Sequence, residues 1–299
     1  MNCFNCARYL REAVASVYAQ TYPHWEIIFW DNASTDDSAA IATSHDGRLR
    51  YFCGDATVPL GAARNLALAR AVGDFVAFLD CDDAWLPDKL ERQIALLESR
   101  PEVDFVYANF YHFDQQTGSK TLAHAGPQPE GDVFEAFLHH YRVGLLTAML
   151  RRSALERLDE MFDATFNLVE EFDLFMRLLY RSQAAYVAAP LAVYRIHDAN
   201  TSTAQRDRWT IENRRVLEKL RRLDTDGRFA RELDDMAVRI EIMAAAIDLA
   251  RGKPASARAH VSPHKWYSIK SFCLFLISFI PARLWLALLP LWRKGVLYR

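Results

Sequence analysis

Three carboxylates lie within four residues, in the segment Asp80-Cys81-Asp82-Asp83. The apolar run Phe75 to Leu79 precedes them and predicts a buried strand that ends at Asp80. Carboxylates this close raise each other's pKa unless a cation offsets their charge. Mg²⁺ and Mn²⁺ prefer oxygen ligands, and Mg²⁺ commonly uses one or two carboxylates together with phosphate oxygens. The segment therefore predicts either a divalent-cation site for a phosphorylated substrate or a solvated acidic loop before a helix.

Apolar runs and helical patterns alternate through the first two hundred residues. Strands are predicted at 26–30, 48–53, 74–79, 103–108, 145–150 and 185–194, and helices at 8–20, 34–44, 61–71, 87–99, 132–141 and 171–180. This alternation is typical of an α/β fold with a Rossmann-like, mostly parallel sheet flanked by helices. Ligands of such folds bind at the carboxyl ends of the strands, where Asp31 and Asp80 both lie.

The acidic segment belongs to a longer pattern of four ordered motifs. They are Asn5 to Leu10, Asp31 to Asp36, Gly61 to Asn65, and the D-x-D-D segment with its following Trp85 and Pro87. Together they resemble family-2 glycosyltransferases, and the resemblance covers roughly residues 3–202. It implies the GT-A fold, Mg²⁺ or Mn²⁺ as cofactor, and inverting transfer of a sugar from a nucleotide-diphosphate sugar donor to an acceptor hydroxyl.

The resemblance also implies roles for single residues. Asp31 and Asn32 match positions that hold the nucleotide base, and Arg64 and Asp80 match further donor-binding positions. Asp80 and Asp82 match the metal ligands. Asn32 stands where Asp is common, and its amide leaves the preferred base open. The alternative for Asp31 is a helix cap, and the alternative for Arg64 is a surface cation on an alanine-rich helix.

A second acidic segment, Glu170-Glu171-Phe172-Asp173-Leu174, resembles the family's E-D-x-D-L motif. Glu171 matches the catalytic base, with a side chain one methylene longer than the usual Asp. The segment also suits an acidic helix start stabilised by the helix dipole. Arg195 and His197 resemble a closing Y-R-x-H motif, although a lone histidine is often structural. The weaker site candidates are Asp83, Glu170, Asp173, Arg195 and His197.

The start of the chain departs from the family pattern. Only Met1 and Asn2 precede the loop Cys3-Phe4-Asn5, where the family has a strand of the usual five or six residues. The sequence therefore predicts that the first strand is missing, through a truncated or misassigned start. One alternative function is thus a catalytically impaired or inactive membrane-associated scaffold. Another is a nucleotide-sugar nucleotidyltransferase, although no glycine-rich, lysine-bearing phosphate loop is present near the start.

The composition changes toward the end of the chain. We predict a glycosyltransferase domain at 1–202, a helical region at 203–262 and a basic, apolar tail at 263–299. Residues 251–299 contain nine Lys or Arg and no Asp or Glu. Pro281, Arg283 and Pro290 interrupt the apolar run, so that no piece reaches the ~20 residues needed to span a bilayer. The tail predicts peripheral binding to the cytoplasmic face of the membrane, and with it a saccharide or lipid-linked acceptor. The alternative is a helical pair that packs on the catalytic domain or on a partner subunit.

Bulk composition excludes other classes. A hydrophobic fraction of 51% and a net charge of −2 indicate a globular chain with no general attraction to nucleic acid. Five cysteines at irregular spacing argue against a disulfide framework and for a reducing, cytoplasmic compartment. Cys3 and Cys6 form one C-x-x-C, but no second Cys or His pair follows at zinc-finger spacing, so we expect no metal there.

Overall fold

A computed structural model describes residues 1–198 and 206–280. The chain divides into two compact units, Met1–Thr201 and Ser202–Arg299. The first unit is α/β, and the described part of the second is helical. This agrees with the predicted fold class, and the division falls beside the boundary predicted at residue 202.

The first unit opens with a small parallel sheet of order β1-β2-β3. Its elements are β1 (Asn2–Cys3), α1 (Ala7–Tyr18), β2 (Ile27–Asp31), α2 (Ser38–Thr43) and β3 (Leu49–Cys53). The first strand, predicted to be missing, is present as two residues only, in which Asn2 pairs with Trp30 and Cys3 with Asp31. The pairing continues at Met1, whose carbonyl accepts from the Trp30 amide at 3.0 Å. Two residues form the strand because β2 supplies the partner groups.

A second sheet has the order β4-β8-β6-β9-β5, with β7 paired to β6. The elements of this part are α3 (Leu60–Leu68), β4 (Phe75–Ala77), β5 (Ala84–Trp85), α4 (Lys89–Ser99), β6 (Val103–Asp114), β7 (Lys120–Leu122), α5 (Phe134–His139), β8 (Met149–Arg151), α6 (Arg152–Leu155), α7 (Glu170–Leu179) and β9 (Gln183–Ile196). Only β6 and β9 pair in parallel; the other pairs are antiparallel. The strands thus form two sheets, one parallel and one mixed. The sequence predicted a mostly parallel sheet, because apolar runs locate strands without fixing their direction.

The two sheets are separated by a cavity of about 350 Å³. Ile27 and Ile28 of β2 line one side, and β4 lines the other. β1 pairs only with the end of β2, at Trp30 and Asp31, so it does not bridge the sheets along their full length. The core on the other side of β4 centres on β6, where Val103 and Phe105 to Ala108 are fully buried.

Four helices occupy the described part of the second unit. They are α8 (Arg206–Leu223), α9 (Ala230–Ala250), α10 (Pro254–Val261) and α11 (Ile269–Ile277). Leu249, Val261 and Leu274 share one apolar core, so residues 263–280 pack with the helical region and do not form a separate tail. Residues 281–299 of the predicted tail lie outside the described residues. Across the described ranges, no helix has the length and apolarity to cross a membrane.

Helix α4 contains a fully buried lysine, Lys89. Its ammonium donates to Gln93 Oε1 at 2.7 Å and lies 4.2 Å from the centre of the Trp85 ring. Burial lowers the pKa of Lys89 from 10.5 to about 7. The charged form is disfavoured because a neutral amide and a ring face replace water only in part.

We expect Lys89→Met to change how stability depends on pH. The unfolded chain keeps this proton up to its higher pKa, so wild-type stability should rise as pH increases from about 7 toward 10. Between pH 6 and pH 9, the free energy of unfolding of the wild type should gain ~2–3 kcal/mol relative to the variant. Urea denaturation at both pH values measures this, with the exposed Lys120→Met as control. A constant difference between wild type and Lys89→Met would contradict the expectation.

Candidate functional site

Helix α3 is docked closely against the segment before α7. The Gly61 amide donates to the Phe166 carbonyl at 2.9 Å, and a Cβ at Gly61 would lie 2.0 Å from the Asp163 carbonyl oxygen. The Asn65 side chain donates to the Phe162 carbonyl at 2.8 Å and accepts from the Phe162 amide at 3.0 Å. Only glycine allows this approach, and the asparagine fixes the register of the contact.

This docking places Arg64, which is only 4% exposed, between two carboxylates. Its Nη2 lies 3.2 Å from Asp80 Oδ1 and 3.3 Å from Glu170 Oε1. Burial opposes the charge, but Glu170 and Asp80 outweigh it and raise the pKa of Arg64. The Nη1 atom is buried and has no hydrogen-bond partner among the described residues. Arg64 therefore keeps a donor for a further acceptor.

Asp80 and Asp82 present carboxylates at the end of β4. The Asp80 side chain is 40% exposed and that of Asp82 30%. Burial raises the pKa of Asp80, the Arg64 charge opposes this shift, and Asp82 adds to it. His197 Nε2 lies 2.9 Å from Asp82 Oδ2, so the Y-R-x-H motif meets the acidic segment. The structure brings Arg64, Asp80, Asp82 and His197 together, and their roles in binding stay predictions.

Asp83 has a different environment. It is buried, and its Oδ1 accepts from the Arg195 amide at 2.8 Å. Burial raises the pKa of Asp83 well above its usual range. The Arg195 guanidinium donates to the Asp82 carbonyl at 2.9 Å and to Gln115 Oε1 at 2.7 Å, and it pairs with Glu12 at 2.6 Å. Asp83 and Arg195 thus hold the acidic loop against β9.

The acidic residues at the start of α7 also differ from one another. Glu170 is buried against Arg64, whereas Glu171 is partly buried. Burial and the neighbouring Glu170 raise the pKa of Glu171. Asp173 is fully buried and pairs with Arg177 at 2.8 Å. Arg177 also donates to the Glu160 carbonyl at 2.5 Å. Asp173 therefore stabilises the helix, and Glu171 is the acidic residue here whose side chain stays partly accessible.

Asp31 and Asn32 lie at the carboxyl end of β2 and are both buried. Asp31 accepts from the Ser34 amide and the Tyr51 hydroxyl, each at 2.8 Å. The Asn32 side chain donates from Nδ2 to the Val58 carbonyl at 2.8 Å, and its Oδ1 accepts from the Val58 backbone amide at 3.1 Å. Both side chains therefore stabilise the loops of this strand end in the structure. Their contact with a nucleotide base stays a prediction.

Tyr141 is a site residue that the sequence did not reveal. Its ring packs edge-on against Phe172 at 4.9 Å, beside Glu171. Burial and the charges of Glu171 and Glu170 raise the pKa of the Tyr141 phenol well above its usual range. Within residues 1–198 and 206–280, no hydrogen-bond partner reaches its buried hydroxyl. The predicted helix ran through this position, whereas α5 ends at His139, so no motif marked the tyrosine.

Comparison with known proteins identifies the class. The sequence model described as "Glycosyl transferase family 2" matches residues 1–159, which is more than half of the chain. The chain therefore belongs to glycosyl transferase family 2. It is 31% identical over 205 residues, 67% of this chain and 79% of the relative, to the "Putative teichuronic acid biosynthesis glycosyltransferase TuaG" of Bacillus subtilis (strain 168). It is 28% identical over 180 residues, 60% and 68% of the two chains, to the Escherichia coli "UDP-Glc:alpha-D-GlcNAc-diphosphoundecaprenol beta-1,3-glucosyltransferase WfgD".

Solved structures support the GT-A fold. Residues 1–349 of S. aureus TarS, in complex with UDP-GlcNAc, superpose with a TM-score of 0.66 at 15% identity, covering 100% of this chain and 91% of that one. The mannosyltransferase PcManGT from Pyrobaculum calidifontis, in complex with GDP-Man and Mn²⁺, gives a TM-score of 0.55 at 20% identity and covers 98% and 86%. At these identities the likeness concerns the fold.

We expect Gly61→Ala to lower stability. The added methyl group would meet a backbone carbonyl, so α3 must move away from the Asp163 segment and carry Arg64 with it. Unfolding free energy should fall by about 1–3 kcal/mol. Gly47→Ala is the matched control, because nothing lies within 4 Å of its added carbon. Equal effects of the two substitutions in urea denaturation would refute this account of the docking.

Proposed function

We propose that this protein transfers a sugar from a nucleotide-diphosphate sugar to an acceptor hydroxyl with inversion at the anomeric carbon. The observation that carries the proposal is the Arg64 guanidinium, buried between Asp80 and Glu170 with Nη1 unpartnered among the described residues. A diphosphate supplies acceptors of matching charge. The family match argues against a nucleotidyltransferase, and the inactive scaffold remains the alternative that the experiments below test.

The residues present fit the proposed Mg²⁺ or Mn²⁺. Asp80 and Asp82 are partly exposed carboxylates, which are hard oxygen donors, and an unpartnered guanidinium nitrogen lies beside them. When bound there, the ion supplies Lewis-acid stabilisation of the diphosphate leaving group. Arg64 adds a hydrogen bond and positive charge to the same leaving group. His197 orients the Asp82 carboxylate through their 2.9 Å contact.

Glu171 is the proposed general base, which takes the proton from the acceptor hydroxyl as that oxygen attacks the sugar. Burial and Glu170 raise the pKa of Glu171 toward the range in which a carboxylate accepts a proton effectively at neutral pH. The buried Tyr141 hydroxyl beside it is the proposed hydrogen-bond donor to a sugar or acceptor oxygen.

We expect Glu171→Gln to keep nucleotide binding and to lose transfer. The amide preserves size and hydrogen bonding but accepts no proton, so turnover should fall about 100-fold or more. Affinity for UDP, or for GDP if UDP does not bind, should change little. Wild-type transfer should also rise with pH through the neutral range, since the raised pKa leaves more of the base protonated at lower pH. Mass spectrometry with a panel of UDP- and GDP-sugars and isolated membranes as the acceptor source measures transfer.

Glu170→Gln is the matched control on the same helix turn. It removes a carboxylate that contacts Arg64 at 3.3 Å, so nucleotide affinity and turnover should fall together. Loss of UDP affinity in Glu171→Gln to the same extent as turnover would contradict the general-base role. Nucleotide binding without transfer of any sugar by the wild type would favour the inactive scaffold.

The acceptor proposed here is lipid-linked or a cell-surface polysaccharide precursor, reached by peripheral binding to the cytoplasmic face of the membrane. The relative WfgD is named as an enzyme whose own acceptor is GlcNAc-diphosphoundecaprenol, which is lipid-linked. In the second unit of this chain, Trp266 is 77% exposed and Ile269 85%, and Lys265 and Lys270 lie beside them. Exposed aromatic and apolar side chains next to lysines suit the headgroup region of an anionic bilayer.

We expect the wild type to float with vesicles that contain phosphatidylglycerol and to float less with phosphatidylcholine alone. The double substitution Trp266→Ser with Ile269→Ser should lower the bound fraction severalfold, because it removes apolar groups that enter the interface. Ile211→Ser is the matched control, since Ile211 is a 59% exposed apolar residue of α8. Equal flotation of the double variant and the wild type would exclude this patch as the membrane contact.

A further inference from the structure

Three cysteine sulfurs converge beneath the candidate donor site, although two of the cysteines are almost eighty residues from the third. Cys3, Cys6 and Cys81 place their Sγ atoms within 4.8 Å of one another. Cys3 and Cys6 form a disulfide, which corrects the expectation that the cysteines stay unpaired. The Cys81 thiol donates to the Asn2 carbonyl at 3.2 Å, so it lies directly against β1.

We propose that reduction of the Cys3–Cys6 disulfide opens a soft-metal site in which Cys3, Cys6 and Cys81 bind Zn²⁺ or a similarly thiophilic divalent cation. No second pair of ligands follows Cys3 and Cys6 at zinc-finger spacing, and the fold supplies the third sulfur from the acidic segment instead. Zn–S bonds of about 2.3 Å in a tetrahedral site separate the sulfurs by ~3.8 Å. After reduction the Cys3 and Cys6 sulfurs must separate by ~1.8 Å from their bonded distance, and Cys81 must approach them by about one ångström or less.

The site is chemically distinct from the carboxylates beside it. Cys81 stands between Asp80 and Asp82 in sequence, but its side chain is buried toward β1 whereas the Asp80 and Asp82 side chains are partly exposed. Thiolates select soft or borderline cations, and carboxylates select Mg²⁺ and Mn²⁺. Neighbouring sites can therefore bind different ions at the same time, without competition for ligands.

The disulfide and the proposed metal site both hold the same loop. Asn5, between the two cysteines, accepts from the Thr35 amide at 2.8 Å, and its own amide donates to Ser34 Oγ at 2.9 Å. The Cys6 amide donates to Ser38 Oγ at 3.1 Å. The disulfide links only Cys3 and Cys6 within this loop, whereas a metal bound by all three sulfurs would also join the loop to the acidic segment through Cys81.

The reduction and binding steps balance with a named co-reactant. A phosphine reductant and one water convert the Cys3–Cys6 disulfide to two thiols, and the phosphine becomes its oxide. Binding of the cation then replaces the three thiol protons, which pass to the buffer. Cys6 is the accessible end of the pair, because Cys3 and Cys81 are 3% and 4% exposed and Cys6 is only partly buried.

A cadmium titration tests the proposal without any sugar transfer, so its outcome is independent of the proposed function. Full-length protein is prepared oxidised and phosphine-reduced, each state being verified by mass spectrometry, and is titrated with Cd²⁺ in excess Mg²⁺. The Cd–thiolate ultraviolet band and elemental analysis report binding. We expect the reduced protein to take one cation per chain with this band, and the oxidised protein to take none. Equal binding by both states would overturn the proposal.

Substitutions identify the ligands. Cys81→Ser and, separately, the less buried Cys6→Ser should each weaken Cd²⁺ binding by about tenfold or more, since each removes one of three thiolates. Cys53→Ser and Cys273→Ser are matched controls at exposed free cysteines and should bind as the wild type does. Circular dichroism verifies that each variant is folded. Unchanged affinity in folded Cys6→Ser or Cys81→Ser, or loss of binding in a control, would refute the assignment.

Discussion

The rest of the candidate site depends on the ion pairs that the buried Arg64 guanidinium makes with Asp80 and Glu170. Removing its charge from water is costly unless carboxylates offset it, and here Asp80 and Glu170 do so from two separate parts of the chain. Helix α3, the end of β4 and the start of α7 must therefore meet at one point. The absence of a side chain at Gly61 makes that meeting sterically possible.

Much of this arrangement follows from the sequence. Strands that end in carboxylates place those groups at one edge of a sheet, so the proximity of Asp80, Asp82 and His197 was predictable from motif order. Residue type could not separate the acidic residues from one another. Asp83 and Asp173 are buried by Arg195 and Arg177, and those contacts depend on how β9 and α7 pack. Burial by specific partners, which no local pattern encodes, distinguishes structural from accessible carboxylates.

The features that the sequence did not predict are contacts over long sequence separations. Tyr141 follows the end of α5 by two residues, and its ring packs against Phe172, the neighbour of Glu171 in sequence. The Asn32 amide is satisfied by the Val58 backbone, and an Asp at that position has no donor for the Val58 carbonyl. Strand direction in the second sheet and the two-residue β1 likewise depend on pairing partners, because a short apolar run fits a fully buried strand of either a parallel sheet or a sandwich core.

The charges around Arg64 bear on the proposed cofactor. Glu170, Glu171 and Asp80 all interact electrostatically with this one guanidinium, and Asp82 adds a further carboxylate beside Asp80. A diphosphate brings more negative charge into the same region, and one arginine cannot offset all of it. Protonation of these carboxylates would relieve the repulsion, but a protonated Asp80 no longer serves as a metal ligand and a protonated Glu171 no longer accepts a proton. A divalent cation at Asp80 and Asp82 relieves it while keeping Glu171 available to accept a proton, which is the physical reason for proposing Mg²⁺ or Mn²⁺ in this site.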